Sequence, residues 1–197
     1  HDVVIVSDEI HAPLTMPGCN HTPLIHLHPL ATDVVVTLTS ASKAWNLAGL
    51  KCGIAVFHSD RTRDRFLAVP RRTRTGVGLL GMLATVAALE GGEGWLRHVV
   101  GYLDATRRWL EKAIPAYLPG VRYRAPEASY LAWLDFSRTR IAADPAGALL
   151  NGARVALEAG EDFGPGGQGW ARMNFGTSRG ILEDALRAMA PIVERGA

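Results

Sequence analysis

The sequence contains only two cysteines, Cys19 and Cys52, so it offers no disulfide framework. Its formal net charge of +2 is too small to indicate a nucleic-acid or membrane partner. The longest apolar run, residues 76–89, is interrupted by glycines and is shorter than the ~20 residues that a bilayer-spanning helix needs. We therefore predict a cytoplasmic protein without a nucleic-acid or membrane partner.

The sequence does contain enough apolar material for a core, since 48% of its 197 residues are hydrophobic and 20% are charged. These proportions are typical of a globular protein with one or two compact units. The sequence opens with His1 and Asp2 and runs directly into an apolar stretch at residues 3–6. From this opening we expect a chain that is entered partway through a domain.

Short β-branched runs alternate with helical patterns in the first half of the sequence. Residues 3–7, 34–39 and 53–57 are predicted to be buried strands, because each is a short and largely apolar run. Residues 76–89 are predicted to form a helix. This alternation is typical of an α/β layer with a mixed, mainly parallel sheet.

A long helix is predicted from Gly94 onward, because apolar residues recur there at helical spacing until Pro115 and Pro119 end the pattern. Four stretches beyond it are predicted to be strands: residues 121–124, 130–136, 154–158 and 171–175. A last helix is predicted over residues 178–194, and a glycine-rich loop over residues 160–169.

These patterns divide the chain into three predicted parts. Residues 1–93 form the C-terminal part of a large domain, and residues 94–118 form a linking helix. Residues 119–197 form a small α+β domain, which has the usual size of a subdomain.

The most informative segment is residues 39–51, which read TSASKAWNLAGLK and lie between two predicted strands. Its lysine, Lys43, stands among small and hydroxyl-bearing residues. A lysine in such a turn is partly removed from water, which favours the neutral amine that can attack an aldehyde. Position alone favours an ordinary exposed lysine at the start of a helix, so the surrounding motif decides between the two interpretations.

This segment, preceded by SDEIH at residues 7–11, resembles the Schiff-base segment of the class I/II aminotransferases, which are fold-type I enzymes dependent on pyridoxal 5'-phosphate. The similarity is greatest to the branch with cystathionine β-lyases and related carbon–sulfur lyases. The resemblance implies that Lys43 forms the Schiff base with the cofactor. It also implies that Ser40 and Lys51 bind the cofactor phosphate, although the family often has arginine at the position of Lys51.

Asp8 and His11 follow the first predicted strand, at the edge where α/β folds present ligand-binding groups. The resemblance implies that Asp8 pairs with the pyridine nitrogen and keeps the ring electron-withdrawing. It places His11 near the phenolic oxygen of the ring. Without the lysine motif, Asp8 would be interpreted as a helix cap and His11 as a loop histidine.

Residues 169–176, GWARMNFG, resemble the family segment whose arginine binds the substrate α-carboxylate, and that arginine corresponds to Arg172. A guanidinium suits this role because its planar fork makes two parallel bonds to a carboxylate. The alternative is a surface arginine on an edge strand. The resemblance continues through residues 128–135, ASYLAWLD, and so covers essentially the whole chain, but the long N-terminal portion of the family fold has no counterpart in it.

Two other patterns suggest other ligands. His26 and His28, with Cys19 nearby, could form a metal site, but no CxxC or HExxH spacing supports one and we predict no metal. The six arginines in residues 61–74 suggest a phosphate-rich partner. A solvated helix face or a subunit contact is the better interpretation, because the rest of the chain balances this charge.

The resemblance thus implies a lyase that acts on small amino-acid substrates and works as a homodimer. An aminotransferase would use the same residues, and the sensor domain of a transcriptional regulator is a further alternative. Because this chain lacks the N-terminal parts of the cofactor site, we expect it to be inactive alone, to bind pyridoxal phosphate weakly, and to aggregate.

Overall fold

The computed structural model of the protein describes residues 3–74 and 76–194. The chain divides into two compact units, His1–Val100 and Gly101–Ala197. The division falls inside a long helix, Glu93–Tyr117. Within the described residues, no helix combines the length and the apolar character that crossing a membrane would require.

The first unit contains a three-stranded sheet formed by β1 (Ile5–Asp8), β2 (Val35–Thr39) and β3 (Ile54–Phe57). β1 runs parallel to β2, with Asp8 opposite Leu38. β3 runs antiparallel to β2 on its other side. The sheet is therefore mixed, as predicted, but its one parallel and one antiparallel strand pair do not make it mainly parallel.

Among the three strands of this sheet, buried residues occur only at the start of the central strand. Val35 and Val36 of β2 are at most 9% exposed, whereas Ile5 and Val6 of β1 are 44% and 59% exposed. The prediction of three buried strands was thus wrong for β1, and also for β3, whose residues are half-buried or exposed. The reason is topological, because an outer strand has a neighbouring strand on one side only.

Four helices belong to the first unit: α1 (Ala31–Val34), α2 (Asp60–Leu67), α3 (Arg71–Arg74) and α4 (Leu79–Gly91). The helix predicted over residues 76–89 is confirmed as α4, although it begins three residues later. Gly76 cannot belong to it, because its φ of +140° is incompatible with a right-handed helix. Five of the six arginines of residues 61–74 are exposed, on or beside α2 and α3.

The predicted long helix is confirmed as α5 (Glu93–Tyr117). Pro115 was expected to end it, but it lies inside the last turn. The backbone N–H of Leu118 still donates to the Ile114 carbonyl at 2.8 Å, so the missing N–H of proline does not stop the helix. The chain turns away at Gly120, whose φ is +88°.

The second unit contains an antiparallel sheet with the strand order β4-β5-β7-β6. Its strands are β4 (Arg122–Tyr123), β5 (Leu131–Asp135), β6 (Glu158–Ala159) and β7 (Trp170–Asn174). The last helix, α7 (Arg179–Glu194), is confirmed. The core of this unit is made by buried apolar side chains of β5, β7 and α7: Ala132, Leu134, Ala171, Met173, Leu186 and Met189.

The strand predicted over residues 154–158 was largely wrong. A helix that we did not predict, α6 (Pro145–Ala153), precedes this stretch and ends at Arg154, whose φ is +58°. The helix has clear start signals, since Asp144 accepts from the Gly147 N–H at 2.8 Å and a proline occupies the first turn. Strand pairing begins only at Glu158.

Candidate active site

Asp8 and Ser40 lie at the same edge of the first sheet. Parallel strands end at a common edge, and Asp8 is the last residue of β1 while Ser40 directly follows β2. The Asp8 side chain is held in a tight turn, because its Oδ1 accepts a hydrogen bond from the Ile10 N–H at 3.1 Å. An exposed carboxylate is thereby fixed at the strand end.

Ser40 is 6% exposed, and its hydroxyl organises the segment that contains the lysine. Its Oγ accepts from the Ser42 N–H at 3.0 Å and lies 2.7 Å from the Ser42 hydroxyl. The Ser40 hydroxyl donates to the Cys52 carbonyl oxygen, which ties the start of the turn to the segment just before β3. In this structure Ser40 therefore stabilises the turn, and Ser42 places a second hydroxyl beside it.

Lys43 lies in a compact turn over residues 41–46 and is half-buried. Ala41 and Ala44, on either side of it, are almost fully buried and anchor the turn in the core. The Trp45 N–H donates to the Ala41 carbonyl at 3.0 Å. The backbone around Lys43 is thus fixed from both sides while the lysine itself keeps access to solvent.

Two glycines let the lysine segment pack closely against α4 and its C-terminal end. The Trp45 indole N–H donates to the Gly92 carbonyl at 3.0 Å, and a Cβ at Gly92 would come within 2.4 Å of that indole nitrogen. A Cβ at Gly81 would lie 2.5 Å from the Leu50 carbonyl oxygen. The segment before β3 therefore requires a helix surface without side chains at these two positions.

Lys51 occupies a backbone conformation that is rare for a residue with a side chain. It follows a short 3-10 turn, Ala48–Leu50, and has a φ of +51°. Such a left-handed conformation costs roughly 1–2 kcal/mol for a residue other than glycine. Backbone strain of this kind is found preferentially at ligand-binding sites. Here the left-handed conformation of Lys51 directs the chain towards β3.

Three of the predicted site residues line one cleft of about 360 Å³: Asp8, Ser40 and Lys51. Thr39, Ser42 and Cys52 also line it. The cleft is therefore lined by an acidic residue at a strand end, three hydroxyl-bearing residues and a lysine. Lys43 and His11 are neighbours of these residues in sequence, but neither is among the described residues that line the cleft.

His11 begins a 3-10 turn, Ala12–Leu14, and is half-buried. The loop after it is held by Glu9, which accepts from the Ser7 hydroxyl and the Leu24 N–H, each at 3.0 Å. Glu9 also pairs with His21 at 2.9 Å. Burial raises the pKa of Glu9, but these hydrogen bonds outweigh it and hold the pKa below its ordinary value.

One of the two histidines considered as metal ligands, His28, accepts a hydrogen bond at Nδ1 from the Leu30 N–H at 3.1 Å. His21, in the same loop, contacts Glu9 through Nε2. Across residues 3–74 and 76–194, no three histidine, cysteine or acidic side chains are grouped as metal ligands would be.

Arg172 lies in the second unit, at the centre of β7. It is opposite Trp133 on one side and Glu158 on the other. Its Nε donates to Glu158 Oε2 at 2.5 Å, and its guanidinium carbon lies 4.2 Å from the centre of the Phe163 ring. The arginine is thus on a strand, as predicted, and is held in a defined environment.

Sequence reasoning missed three residues around these groups. Ser42 is inside the recognised motif, but its contact with Ser40 depends on the turn geometry. Glu158 and Phe163 approach Arg172 only because β6 pairs with β7 in an antiparallel register. This register could not be predicted from the sequence, because the strand was predicted at residues 154–158, whereas pairing begins only at Glu158.

A family model for class I and II aminotransferases matches residues 1–189, and the chain belongs to this family. Cystathionine beta-lyase PatB of Bacillus subtilis is 36% identical over 189 residues, with 95% of this chain and 49% of that protein covered. A cystathionine beta-lyase of Corynebacterium glutamicum is 35% identical over 193 residues, with 98% and 51% covered. The chain thus spans about half the length of the curated relatives it matches.

Solved structures show the same fold. The pyridoxal-phosphate-bound C-S lyase of Staphylococcus hominis superposes with a TM-score of 0.89 at 30% identity, covering 99% of this chain and 51% of that one. The predicted fold class is confirmed by this likeness: part of the large domain of a fold-type I enzyme, followed by a small α+β domain.

Proposed function

We propose that this chain is the part of a pyridoxal-phosphate-dependent carbon–sulfur β-lyase that carries the reactive lysine. The observation that carries the proposal is the shared cleft of Asp8, Ser40 and Lys51, beside the fixed turn of Lys43. The proposed substrate is an amino acid with a β-thioether, such as cystathionine. Relatives named cystathionine beta-lyase support this choice of substrate.

The cleft fits pyridoxal phosphate in charge and size. Asp8 supplies a carboxylate for a protonated ring nitrogen, and Lys51 supplies a cation for the phosphate. The two groups line the same cleft, and its volume of about 360 Å³ lies within the usual range for small-molecule sites. Ser42 adds a hydroxyl next to Ser40 and is a further candidate phosphate ligand.

When bound, pyridoxal phosphate supplies an electron-withdrawing ring that weakens the bonds at the substrate Cα. Lys43 is the proposed base, because a half-buried amine on a rigid turn can take the Cα proton at its Nζ. The thiolate then leaves from Cβ of the substrate. Water hydrolyses the part of the amino acid that remains, which has three carbons and the amino nitrogen, to pyruvate and ammonia. Asp8 favours the reaction by stabilising positive charge on the ring nitrogen.

Arg172 is the proposed ligand of the substrate α-carboxylate. Its guanidinium offers a planar fork that matches a carboxylate, and its position on a strand limits the motion of its backbone. Trp133 and Phe163 beside it provide apolar surface that partly excludes water. We also propose that the working enzyme is a cytoplasmic homodimer, as is typical of the family.

An aminotransferase is the main alternative, because it would use Lys43, Asp8 and Arg172 in the same roles and return the proton to the cofactor. The two reactions differ in their requirement for an acceptor. The test is to incubate the full-length protein with cystathionine and to measure pyruvate with and without an added keto acid. Pyruvate formed without an acceptor supports the lyase, whereas strict dependence on the keto acid supports the aminotransferase.

Lack of turnover in both conditions, combined with tight cofactor binding, would favour the sensor domain of a transcriptional regulator. In that case, pyridoxal phosphate would act as a signal. Binding can be followed by the visible absorbance of the cofactor, which does not require turnover.

A further inference from the structure

The guanidinium of Arg172 is restrained by two side chains on one face of the second sheet. Its Nε donates to Glu158 Oε2 at 2.5 Å, and the Phe163 ring lies against it at 4.2 Å. Glu158 is directly opposite Arg172 in the β6–β7 pair, so the contact is built into the strand register. The hydrogen bond to Glu158 fixes Nε, and the contact with the Phe163 ring fixes the plane of the guanidinium.

The ring of Phe163 is itself held in place by tryptophans. Trp133 meets it edge to face, with ring centres 5.5 Å apart and an interplanar angle of 84°. Trp133 in turn stacks on Trp170 at 5.8 Å and 17°. Aromatic contacts of this geometry stabilise a defined arrangement, so Phe163 forms a fixed surface for the guanidinium.

These contacts leave the outer edge of the guanidinium as its ligand-binding side. Glu158 engages the guanidinium at Nε, at its inner edge. The two terminal nitrogens can therefore present parallel N–H groups to one carboxylate. A guanidinium held at Nε and on its face loses less rotational freedom when such a ligand binds.

We propose that Glu158 is a positioning residue that orients Arg172 for the carboxylate of the substrate. The proposal rests on the proposed function, in which Arg172 binds that carboxylate. Glu158 acts through the hydrogen bond to Nε, and its negative charge is of secondary importance. Glutamine can accept the same hydrogen bond, whereas alanine cannot.

The alternative is that Glu158 competes with the substrate. In that case Glu158 would bind the Arg172 guanidinium, and the substrate carboxylate would have to displace it. The two roles predict opposite effects of removing the side chain. Glu158 is 58% exposed and Arg172 is 28% exposed, so the pair is not buried enough for the charge alone to be decisive. The bond to Nε, away from the fork, favours positioning.

The direct test is a titration of the isotopically labelled full-length protein with propionate, followed by NMR at the arginine Nε–H signals. Arg172→Lys assigns the relevant signal by removing it, and propanamide serves as an uncharged control ligand. We expect Glu158→Ala to weaken propionate binding by about threefold to tenfold. Glu158→Gln should stay within about twofold of the unchanged chain, because it keeps the acceptor.

Glu161→Ala is the matched control, since Glu161 is exposed in the neighbouring 3-10 helix, Gly160–Phe163, and its loss changes the net charge equally. It should leave propionate binding unchanged. Solvent exchange of the Arg172 Nε–H should accelerate in Glu158→Ala and stay slow in Glu158→Gln. This readout is independent of cofactor and turnover.

Tighter propionate binding in both Glu158 variants would overturn the proposal and identify Glu158 as a competitor. Unchanged binding in Glu158→Ala would also overturn it. In any preparation that turns over cystathionine, Glu158→Ala should raise KM with kcat little changed, because the loss concerns substrate binding. If propionate behaves as expected but no amino acid is turned over, the proposed function fails and the positioning role stands.

Discussion

The indole N–H of Trp45 donates to the carbonyl of Gly92 at 3.0 Å, which joins the lysine turn to the C-terminal end of α4. This contact explains why glycine is required at position 92. The indole lies where a side chain at that position would begin. The turn around Lys43 thus depends on a close approach that only glycine permits.

Gly92→Ala should destabilise the first unit by about 1–3 kcal/mol, because the new Cβ would lie 2.4 Å from the indole nitrogen and force the turn to move. Urea unfolding gives the free energy change. Gly91→Ala is the matched control, since a Cβ there meets nothing within 4 Å and alanine should be neutral or stabilise the helix by up to about 1 kcal/mol. Equal effects of the two substitutions would show that the Trp45 contact is unimportant.

Lys43 should be the residue that bonds covalently to pyridoxal phosphate. Borohydride reduction of the chain with the cofactor, followed by peptide mass spectrometry, should place the label on Lys43. Lys51 and Lys112, both exposed, are internal controls in the same experiment. Lys43→Ala should abolish the label and, in the full-length protein, the turnover. A label that persists on another lysine in that variant would contradict the assignment.

In the full-length protein, Asp8→Asn should leave the fold and cofactor binding intact while lowering turnover by orders of magnitude. The amide oxygen can still accept from the Ile10 N–H, but an amide cannot balance a positive ring nitrogen. Asp33→Asn, at an exposed position in α1, is the control and should be silent. A loss of less than about tenfold, or ~1.4 kcal/mol in the barrier, would remove Asp8 from this role.

Much of the candidate site was predictable because it is local in sequence. Ser40, Lys43 and Lys51 belong to one motif, and Asp8 ends a strand whose parallel partner leads into that motif. Local patterns also identified α4, α5 and α7, since their apolar repeats are long. Their boundaries were shifted by backbone conformations such as that of Gly76, which periodicity does not reveal.

The parts that were missed depend on contacts between distant residues. Glu158 meets Arg172 through strand pairing, and Trp45 meets Gly92 across the packed surface of α4. The helix α6 was missed because its apolar pattern is short, although Asp144 and Pro145 are typical start signals. Burial of β1 was overestimated, because apolar composition does not distinguish a central strand from an outer one.

Low pH should lower the folding stability of the first unit, because the Glu9 carboxylate becomes protonated. Because hydrogen bonds hold the folded-state pKa of Glu9 below its ordinary value of 4.5, the carboxylate stabilises the fold above that pH. This contribution is lost as the pH falls through the lowered pKa. Glu9→Gln should therefore destabilise the chain near pH ~7, by about 1 kcal/mol, and much less in acid.

Urea unfolding at several pH values measures this difference. Glu127→Gln is the control, because Glu127 is an exposed partner of Arg124 and its replacement should have little effect at any pH. The free energies of unfolding of Glu9→Gln and of the unchanged chain should converge at low pH. A difference that stays constant would contradict the stabilising role of the Glu9 carboxylate.

The 197-residue chain should self-associate through α4. This helix presents a row of exposed apolar side chains, of which Leu80 is 72% exposed and Leu83 is 57% exposed. Contiguous apolar surface of this kind promotes association, because contact removes it from water. The double substitution Leu80→Glu and Leu83→Glu should therefore shift the chain toward smaller species in analytical ultracentrifugation. Ile181→Glu, at a 59% exposed position on α7, is the control, and an equal shift with it would show that α4 is not the responsible surface.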